Sequence, residues 1–561
     1  MPTLQWIGKD AVVNHHHKVP FHLLKDVPEL SIGDPGSGNL IVEGDNLVAL
    51  KALLPYYAGQ VKCIYIDPPY NTGNEGWVYN DNVNSPVIRE WLGKVVGDEA
   101  SDLSRHDKWL CMMYPRLQLL RQFLRPDGVI FTSIDDNEVN HLRCILDECF
   151  GANNFIADFV WEGALKNDSR FVSISHDYIL CYARDREFLR VNQSRWRTRK
   201  EGVDEIYLKV EDLKKRYGAD YGKISKELRA WYSGLSKNDP AWGHRHYNKV
   251  DQRGVYFPSD ISWPGGGGPK YEVLHPITKK PVKVPARGWV FPSWERMAEF
   301  IREDRVDFGE DETKVPTLKR YLHETEGQVL PSVFYKDRRA AMKRLRQLFG
   351  KDVFDNPKDE EVLAKLFEAV TEGEDVILDS FAGSGTTGHA VLKLNKQDGG
   401  NRRFILVELE PKIAREITAE RVRRVIHGYG DTPGLGGGFR YCSLGEPLFD
   451  ERGQIKPSVR FGELARHAYS TETGEPLPRE RVPNTPLLGV CRGVGIYLLF
   501  NGILGDKSVD GGNVLTRTVL ENLPKHDGPK VIYAAGCRLG RETLRAEQIT
   551  FRQTPYEIKV T

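Results

Sequence analysis

The residues best suited to chemistry stand in a row: Asp67-Pro68-Pro69-Tyr70, closing the apolar run VKCIYI. A carboxylate beside a backbone carbonyl makes a double acceptor. Such a pair can grip both hydrogens of an exocyclic amine, favour a pyramidal nitrogen and aim its lone pair at a methyl donor. An adenine amine needs that help, because its lone pair is delocalised into the ring. Asp67 supplies the carboxylate and Pro68 the carbonyl, while Pro68 and Pro69 restrict φ and stiffen the turn. Tyr70 adds a π-face on which an extruded base can stack. Such chemistry rests on orientation and electrostatic preorganisation, without a covalent enzyme intermediate. The alternative is a proline-rich turn carrying an ordinary exposed acid.

A second constellation lies far along the chain, in DVILDSFAGSGTTGHAV. Gly383, Gly385 and Gly388 have the spacing GxGxxG between an apolar run and a helical pattern, and Glu408 ends the next apolar run, RFILVE. Glycines so spaced let backbone approach a ligand, and an acid at the end of the following strand accepts hydrogen bonds from ribose hydroxyls. Dinucleotides and S-adenosylmethionine both use this arrangement, and alone it also fits a purely structural strand–helix turn. A P-loop is excluded, because GSGTTG lacks the Lys-Ser/Thr that would close it. A dehydrogenase has no use for Asp-Pro-Pro-Tyr, so the two constellations together favour S-adenosylmethionine over NAD.

Elements that could position these residues are legible around them. NLIVEG, VKCIYID, GVIFTSID and DYILCYAR are short apolar runs ending on acidic, glycine or turn positions, which predicts strands. DKWLCMMYPRLQLLRQFLR has helical spacing, and DNEVNHLRCILDECFG reads as a helix closed by Gly151. Strands alternating with helices predict an α/β, mainly parallel, doubly wound sheet. The rhythm breaks between about 186 and 350, where arginines, a charged helix (DEIYLKVEDLKKRYG) and a Gly/Pro-punctuated stretch intervene. It resumes with DVILD and RFILVE, and GYGDTPGLGGGFR marks a boundary near 428–438.

Composition narrows the class. The chain has 561 residues, 40% hydrophobic and 28% charged, with a net charge of +1. It fits a multidomain globular protein in which any nucleic-acid surface is local. The 8 cysteines form no CxxC pair, which argues against a zinc ribbon or disulfide framework and for free buried thiols in a reducing cytosol. No metal site is expected. The N-terminus shows no signal-peptide pattern, and no apolar run approaches the roughly 18 residues of a membrane span. The triplet His15-His16-His17 is internal and expected to be exposed.

Together these stretches resemble the β-type amino-methylating DNA methyltransferases, and specifically the modification subunits of type III restriction systems. The motif DPPYNTG comes first, then an insert, then FAGSGTT. NLIVEGDNLVALKALLP, WLCMMYPRLQLLRQFLRPDGVIFTSIDDNE, SHDYILCYAR and FDNPK also match, so the similarity covers most of 37–185 and 350–428. The resemblance implies that Asp67, Pro68, Pro69 and Tyr70 form the target-amine site. It implies that Phe381, Ala382, Gly383, Ser384, Gly385 and Thr386 form the cofactor loop, supported by Asp379. It makes Glu408 the ribose-binding acid, Asp45 a contact of the cofactor's adenine, and Lys358 a residue near its methionine end. That last motif usually continues Lys-Pro, and Asp359 stands in place of the proline.

The implied fold is a Rossmann-like, S-adenosylmethionine-dependent sheet of permuted motif order, with DVILD beside CIYID. The implied domains are an N-terminal arm (1–36), a first methyltransferase part (37–185), an inserted target-recognition region (186–350), a second methyltransferase part (351–428) and a C-terminal domain for oligomerisation or docking (429–561). The implied activity is methylation of adenine N6 in duplex DNA by base flipping, in restriction–modification or phage defence in the cytoplasm. Partners would be double-stranded DNA, a helicase-nuclease restriction subunit and a second copy of the chain. Cytosine N4 is the alternative target, although Ser-Pro-Pro-Tyr is more usual there. RNA or protein-amide transfer more often goes with Asn-Pro-Pro-Tyr, and intact motifs disfavour a degenerate DNA-binding module.

Within the insert, Arg195, Arg197, Arg199 and Lys200, with Lys270, Lys279, Lys280, Lys283 and Arg287, are candidates to neutralise phosphates, against the plainer reading of a solvated face. Trp196, Trp242 and Trp263 are expected in a core rather than as wedges. Cys537 is expected to be a buried thiol.

Overall fold

Strands buried on both faces read as continuous apolar runs, and here they assemble one ten-stranded sheet. The computed structural model describes residues 3–72, 93–95, 104–163, 171–237, 239–477, 484–505 and 512–555. Gly73, the last residue of DPPYNTG, lies outside them. The chain divides into two compact units, Met1–Arg195 with Pro331–Thr561, and Trp196–Leu330.

The first unit holds the large sheet. Its strands are β1 (His22–Asp26), β2 (Leu40–Glu43), β3 (Val61–Ile66), β4 (Leu124–Ile134), β5 (Phe155–Glu162), β6 (His176–Ala183), β7 (Val333–Tyr335), β8 (Val376–Asp379), β9 (Arg403–Glu408) and β10 (Arg440–Pro447). They lie in the order β1-β10-β2-β9-β8-β3-β4-β6-β5-β7. Every neighbouring pair from β10 to β4 is parallel, whereas β1, β6 and β5 join antiparallel and β7 pairs parallel with β5. The strand DVILD does sit beside CIYID: Ile377 faces Cys63 and Leu378 faces Ile64. The carboxyl ends of β3 and β8 therefore share one edge, where open α/β sheets bind ligands.

Helices α1 (Asn46–Tyr57) and α2 (Arg105–Phe123) pack together, as do α4 (Glu360–Val370) and α5 (Thr386–Asp398), while α3 (Val139–Leu146) follows β4. The shared core includes Leu50, Leu53, Trp109, Leu117, Phe123, Ile64 and Leu378, all fully or almost fully buried.

The ends of the chain depart from the expected domains. Residues 22–26 are an edge strand of the sheet and no free arm, and β10, expected in a separate C-terminal domain, lies between β1 and β2. The reason is pairing: β2 would otherwise leave an open edge, and burying Tyr441 and Cys442 covers it. Beyond β10, strands Leu487–Cys491, Val494–Leu498, Lys530–Ala534 and Ile549–Gln553 form a small sheet, and helix Phe461–Thr473 packs on its first two strands.

The second unit is narrower than the expected 186–350, because β7 and helix Arg338–Phe349 belong to the first. It contains the paired helices Val203–Tyr217 and Tyr221–Gly234 and a four-stranded antiparallel sheet, Val306–Asp307, Thr317–Tyr321, Val255–Ser259 and Lys249–Val250 in that order. Its two chain ends meet where Thr198–Arg199 pairs with Gly327–Gln328.

Three expectations of burial need correction. Trp196, Trp242 and Trp263 are half-buried, because each carries its ring at a loop or helix edge of the second unit. His16 is buried between its half-buried and exposed neighbours, and Lys51 donates to its carbonyl at 3.2 Å. All eight cysteines are free, but Cys144 is exposed on a helix, and Cys491 and Cys537 are half-buried on short strands. No helix among the described residues is long and apolar enough to cross a membrane.

Candidate active site

Asp67 begins the turn that follows β3, and the turn is braced from outside the cavity. Trp109 Nε1 of α2 donates to the Pro69 carbonyl at 2.7 Å. Asn71, which adopts a left-handed φ of 59°, donates to the Arg105 carbonyl at 3.1 Å and to the fully buried Glu138. Glu138 in turn accepts from His106 and His141 at 2.7 Å each. His106, Glu138 and His141 have potential ligand atoms within 4.8 Å of one another, but these hydrogen bonds already account for the carboxylate, so they read as a brace. Glu138 was not anticipated from the sequence: it stands among polar neighbours, Asp135, Asp136, Asn137 and Asn140, which are half-buried or exposed, so nothing local signals its burial.

The two constellations line one cavity of about 600 Å³. Asp67, Pro68, Pro69 and Tyr70 form one wall, Phe381, Ala382, Gly383, Ser384 and Thr386 another, with Lys358, Asp379 and Glu408 between. The loop is shaped by backbone that only glycine adopts cheaply: φ is 49° at Gly383 and 77° at Gly385. A Cβ on Gly385 would lie 3.1 Å from the Thr418 carbonyl, so the position is closed by contact as well as by φ. Gly385 is behind the cavity wall and also precedes α5 as an N-cap without a side-chain acceptor. Thr418 Oγ1 holds the Gly383 carbonyl at 2.6 Å, and buried Arg421 donates to Ser384 Oγ at 3.0 Å and Thr386 Oγ1 at 2.8 Å. Neither Thr418 nor Arg421 was anticipated from the sequence.

Two acids are strongly perturbed. Burial pushes the Asp379 carboxyl up to about 7, although it accepts from the Phe381 N–H at 3.0 Å and the Thr387 hydroxyl at 2.6 Å. Burial likewise pushes Glu408 up to about 6, against hydrogen bonds from the Gly383 N–H at 2.8 Å and the Glu410 N–H at 3.0 Å. Perturbed carboxyls facing a cavity mark candidate sites.

Lys358 does not stay with the glycine loop. Its Nζ lies 3.2 Å from Asp67 Oδ1 and donates to the Tyr70 hydroxyl at 2.5 Å. Asp359, which replaces the expected proline, caps α4 by accepting from the N–H groups of Glu361 and Val362, and pairs with Arg344 at 2.8 Å. Asp45 is outside the cavity lining: it caps α1 through the Val48 N–H at 3.1 Å and pairs with buried Arg116 at 3.1 Å. Its neighbour Asn46 lines the cavity instead and donates to the Ser380 carbonyl at 3.0 Å.

The basic candidates divide. Arg199 pairs with Asp204 and Glu326, Lys280 with Glu312, and Arg287 with Asp260. Lys200 is half-buried beside Tyr247. Arg195, Arg197 and Lys279 are exposed, and no carboxylate pairs with them among the described residues.

The family model described as DNA methylase matches residues 61–420. The chain is 34% identical over 444 residues to the type III restriction-modification enzyme EcoP15I Mod subunit of Escherichia coli, covering 76% of this chain and 66% of that one. It is 32% identical over 454 residues to the StyLTI Mod subunit of Salmonella typhimurium, covering 75% and 62%. It is 30% identical over 462 residues to the EcoPI Mod subunit of Escherichia phage P1, covering 75% and 68%. The chain thus spans about two thirds of the length of the curated relatives it matches. A match that spans residues 61–420, from the strand before Asp67 to beyond Glu408, takes in both walls of the cavity, and on it the chain belongs to the DNA methylase family.

Proposed function

We propose that the protein transfers a methyl group from S-adenosylmethionine to the exocyclic N6 of adenine in duplex DNA, as the modification subunit of a type III restriction–modification system. The observation that carries this reading is the meeting of Asp67-Pro68-Pro69-Tyr70 and the glycine loop in one cavity. Its volume of about 600 Å³ is in the range that accommodates a nucleoside-sized ligand. The residues present fit the methyl donor: backbone of the glycine loop, from Phe381 to Ser384, lines the cavity, and buried Glu408 is an acceptor suited to ribose hydroxyls. When bound, S-adenosylmethionine supplies an electrophilic methyl group.

The protein's own part is positioning. Asp67 and the Pro68 carbonyl accept the two amine hydrogens and orient the nitrogen lone pair, and Tyr70 stacks on the base once it leaves the duplex. Trp109 and Asn71 hold the turn so that no reorganisation accompanies the transfer. We assign the target motif and cofactor motif to a permuted order, and the second unit to DNA recognition. The corresponding partners are double-stranded DNA, a helicase-nuclease subunit and a second copy of this chain.

The test is to incubate the protein with methyl-labelled S-adenosylmethionine and duplex DNA, then digest and identify the labelled nucleoside. N6-methyl-2′-deoxyadenosine is expected; label on cytosine N4, on RNA or on protein would overturn the adenine assignment.

A further inference from the structure

The Lys358 ammonium occupies the place that the proposed function reserves for the target amine. Its Nζ stands 3.2 Å from Asp67 Oδ1, 3.7 Å from Asp177 Oδ2 and 4.5 Å from the centroid of the Tyr70 ring. An ammonium is a donor without acceptors, like the N–H face of an exocyclic amine. It therefore forms an ion pair with the carboxylate and covers the π-face that a base would use, with the cation–π attraction adding to the ion pair. The side chain is only 14% exposed, so this is a seated position within the cavity.

The backbone around Lys358 touches the other motif. Its carbonyl accepts from Thr386 Oγ1 at 3.4 Å, and Phe354, earlier in the same segment, lies where a Cβ on Gly383 would meet its ring at 3.2 Å. One short segment thus leans on the cofactor loop while its lysine closes the amine site. A sulfonium cation entering the same cavity repels the ammonium, and the repulsion is strong where water is scarce.

We propose that Lys358 is a displaceable stand-in for the target amine, which holds Asp67 and Tyr70 in place and leaves them when the cofactor binds. Cofactor binding and base capture are then coupled through one side chain. This rests on the methyltransferase reading for the identity of the cofactor and the base, but the Lys358 contacts stand without it.

Two measurements test it. In the first, an amine-reactive reagent is applied to the full chain and modification of Lys358 is followed by peptide mass spectrometry. Lys358 should react slowly in the free protein, and several-fold faster in Asp67→Asn and after S-adenosylmethionine is added. Fast reaction in the free protein, or a rate unchanged by the cofactor, overturns the proposal. In the second, 2-aminopurine replaces the target adenine in a duplex carrying the mapped site. Wild-type protein should raise its fluorescence mainly when S-adenosylmethionine is present, whereas Lys358→Met should raise it to a similar level without cofactor. Equal cofactor dependence in wild type and Lys358→Met overturns the coupling. Failure of the methyltransferase reading would show separately, as no mapped site and no shift on adding S-adenosylmethionine, detected by calorimetry.

Discussion

At the scale of residues, Asp67 and Glu408 are asked to do different things, and each can be isolated. Asp67 stands on the target side of the cavity, in the turn after β3, where it pairs with Lys358. Asp67→Ala should lower methyl transfer by about two to three orders of magnitude, as loss of one preorganised partner does, and leave S-adenosylmethionine affinity unweakened, or tighter where the Lys358 pair no longer has to break. Loss of cofactor binding in calorimetry would place Asp67 on the wrong side of the site. Glu408 must be ionised to accept from the Gly383 and Glu410 N–H groups and from a ribose together. Burial has raised its carboxyl to about 6, so the acceptor form is lost as pH falls through that value. Cofactor affinity should therefore be flat above neutrality and weaken by up to about tenfold per pH unit below about 6, the limiting slope for one proton. Glu408→Gln should remove that slope along with most of the affinity. A wild-type Kd that does not change between pH 5 and 7.5 would rule out Glu408 as the acceptor.

At the scale of elements, the departure of Asp359 from the expected Lys-Pro becomes intelligible. A proline there would fix φ but offer the first turn of α4 nothing, whereas Asp359 accepts two of its N–H groups and pairs with Arg344. Asp359→Ala should cost about 1–2 kcal/mol, read as a lower urea midpoint at unchanged slope. A midpoint within error of wild type would show that the cap adds nothing. Much at this scale was legible from the sequence. Continuous apolar runs predicted β2, β3, β4, β6, β8 and β9, and GxGxxG marked the loop in which Gly383 and Gly385 adopt positive φ. What could not be read was tertiary support. Arg421, Thr418, Glu138 and Trp109 act on the site across the fold, and no local spacing announces a partner so far away in sequence. Asp45 and Asn46 show the same limit: adjacent letters, of which one caps a helix and the other faces the cavity.

At the scale of the whole molecule, the boundaries were the least legible part. Sequence composition changes near 428, but the chain returns to the sheet for β10, because strand pairing is decided by an open edge and not by what precedes it. Charge raises a similar issue. A net charge of +1 gives no overall attraction for DNA, so electrostatic binding must come from residues whose charge is not already spent. Arg199, Lys280 and Arg287 hold carboxylates, and releasing them to a phosphate would leave an acid behind; Arg195, Arg197 and Lys279 carry no such cost. If each of the latter three neutralises one phosphate, the triple variant Arg195→Ala/Arg197→Ala/Lys279→Ala should flatten the slope of log Kobs against log salt by about 2.7, because each contact contributes about 0.9. The triple variant Arg199→Ala/Lys280→Ala/Arg287→Ala should flatten it by less, since every lost cation also unmasks an acid. Fluorescence anisotropy on a nonspecific duplex across a salt series separates the two. Equal slopes for both variants would mean that internal pairing does not decide which cations reach the DNA.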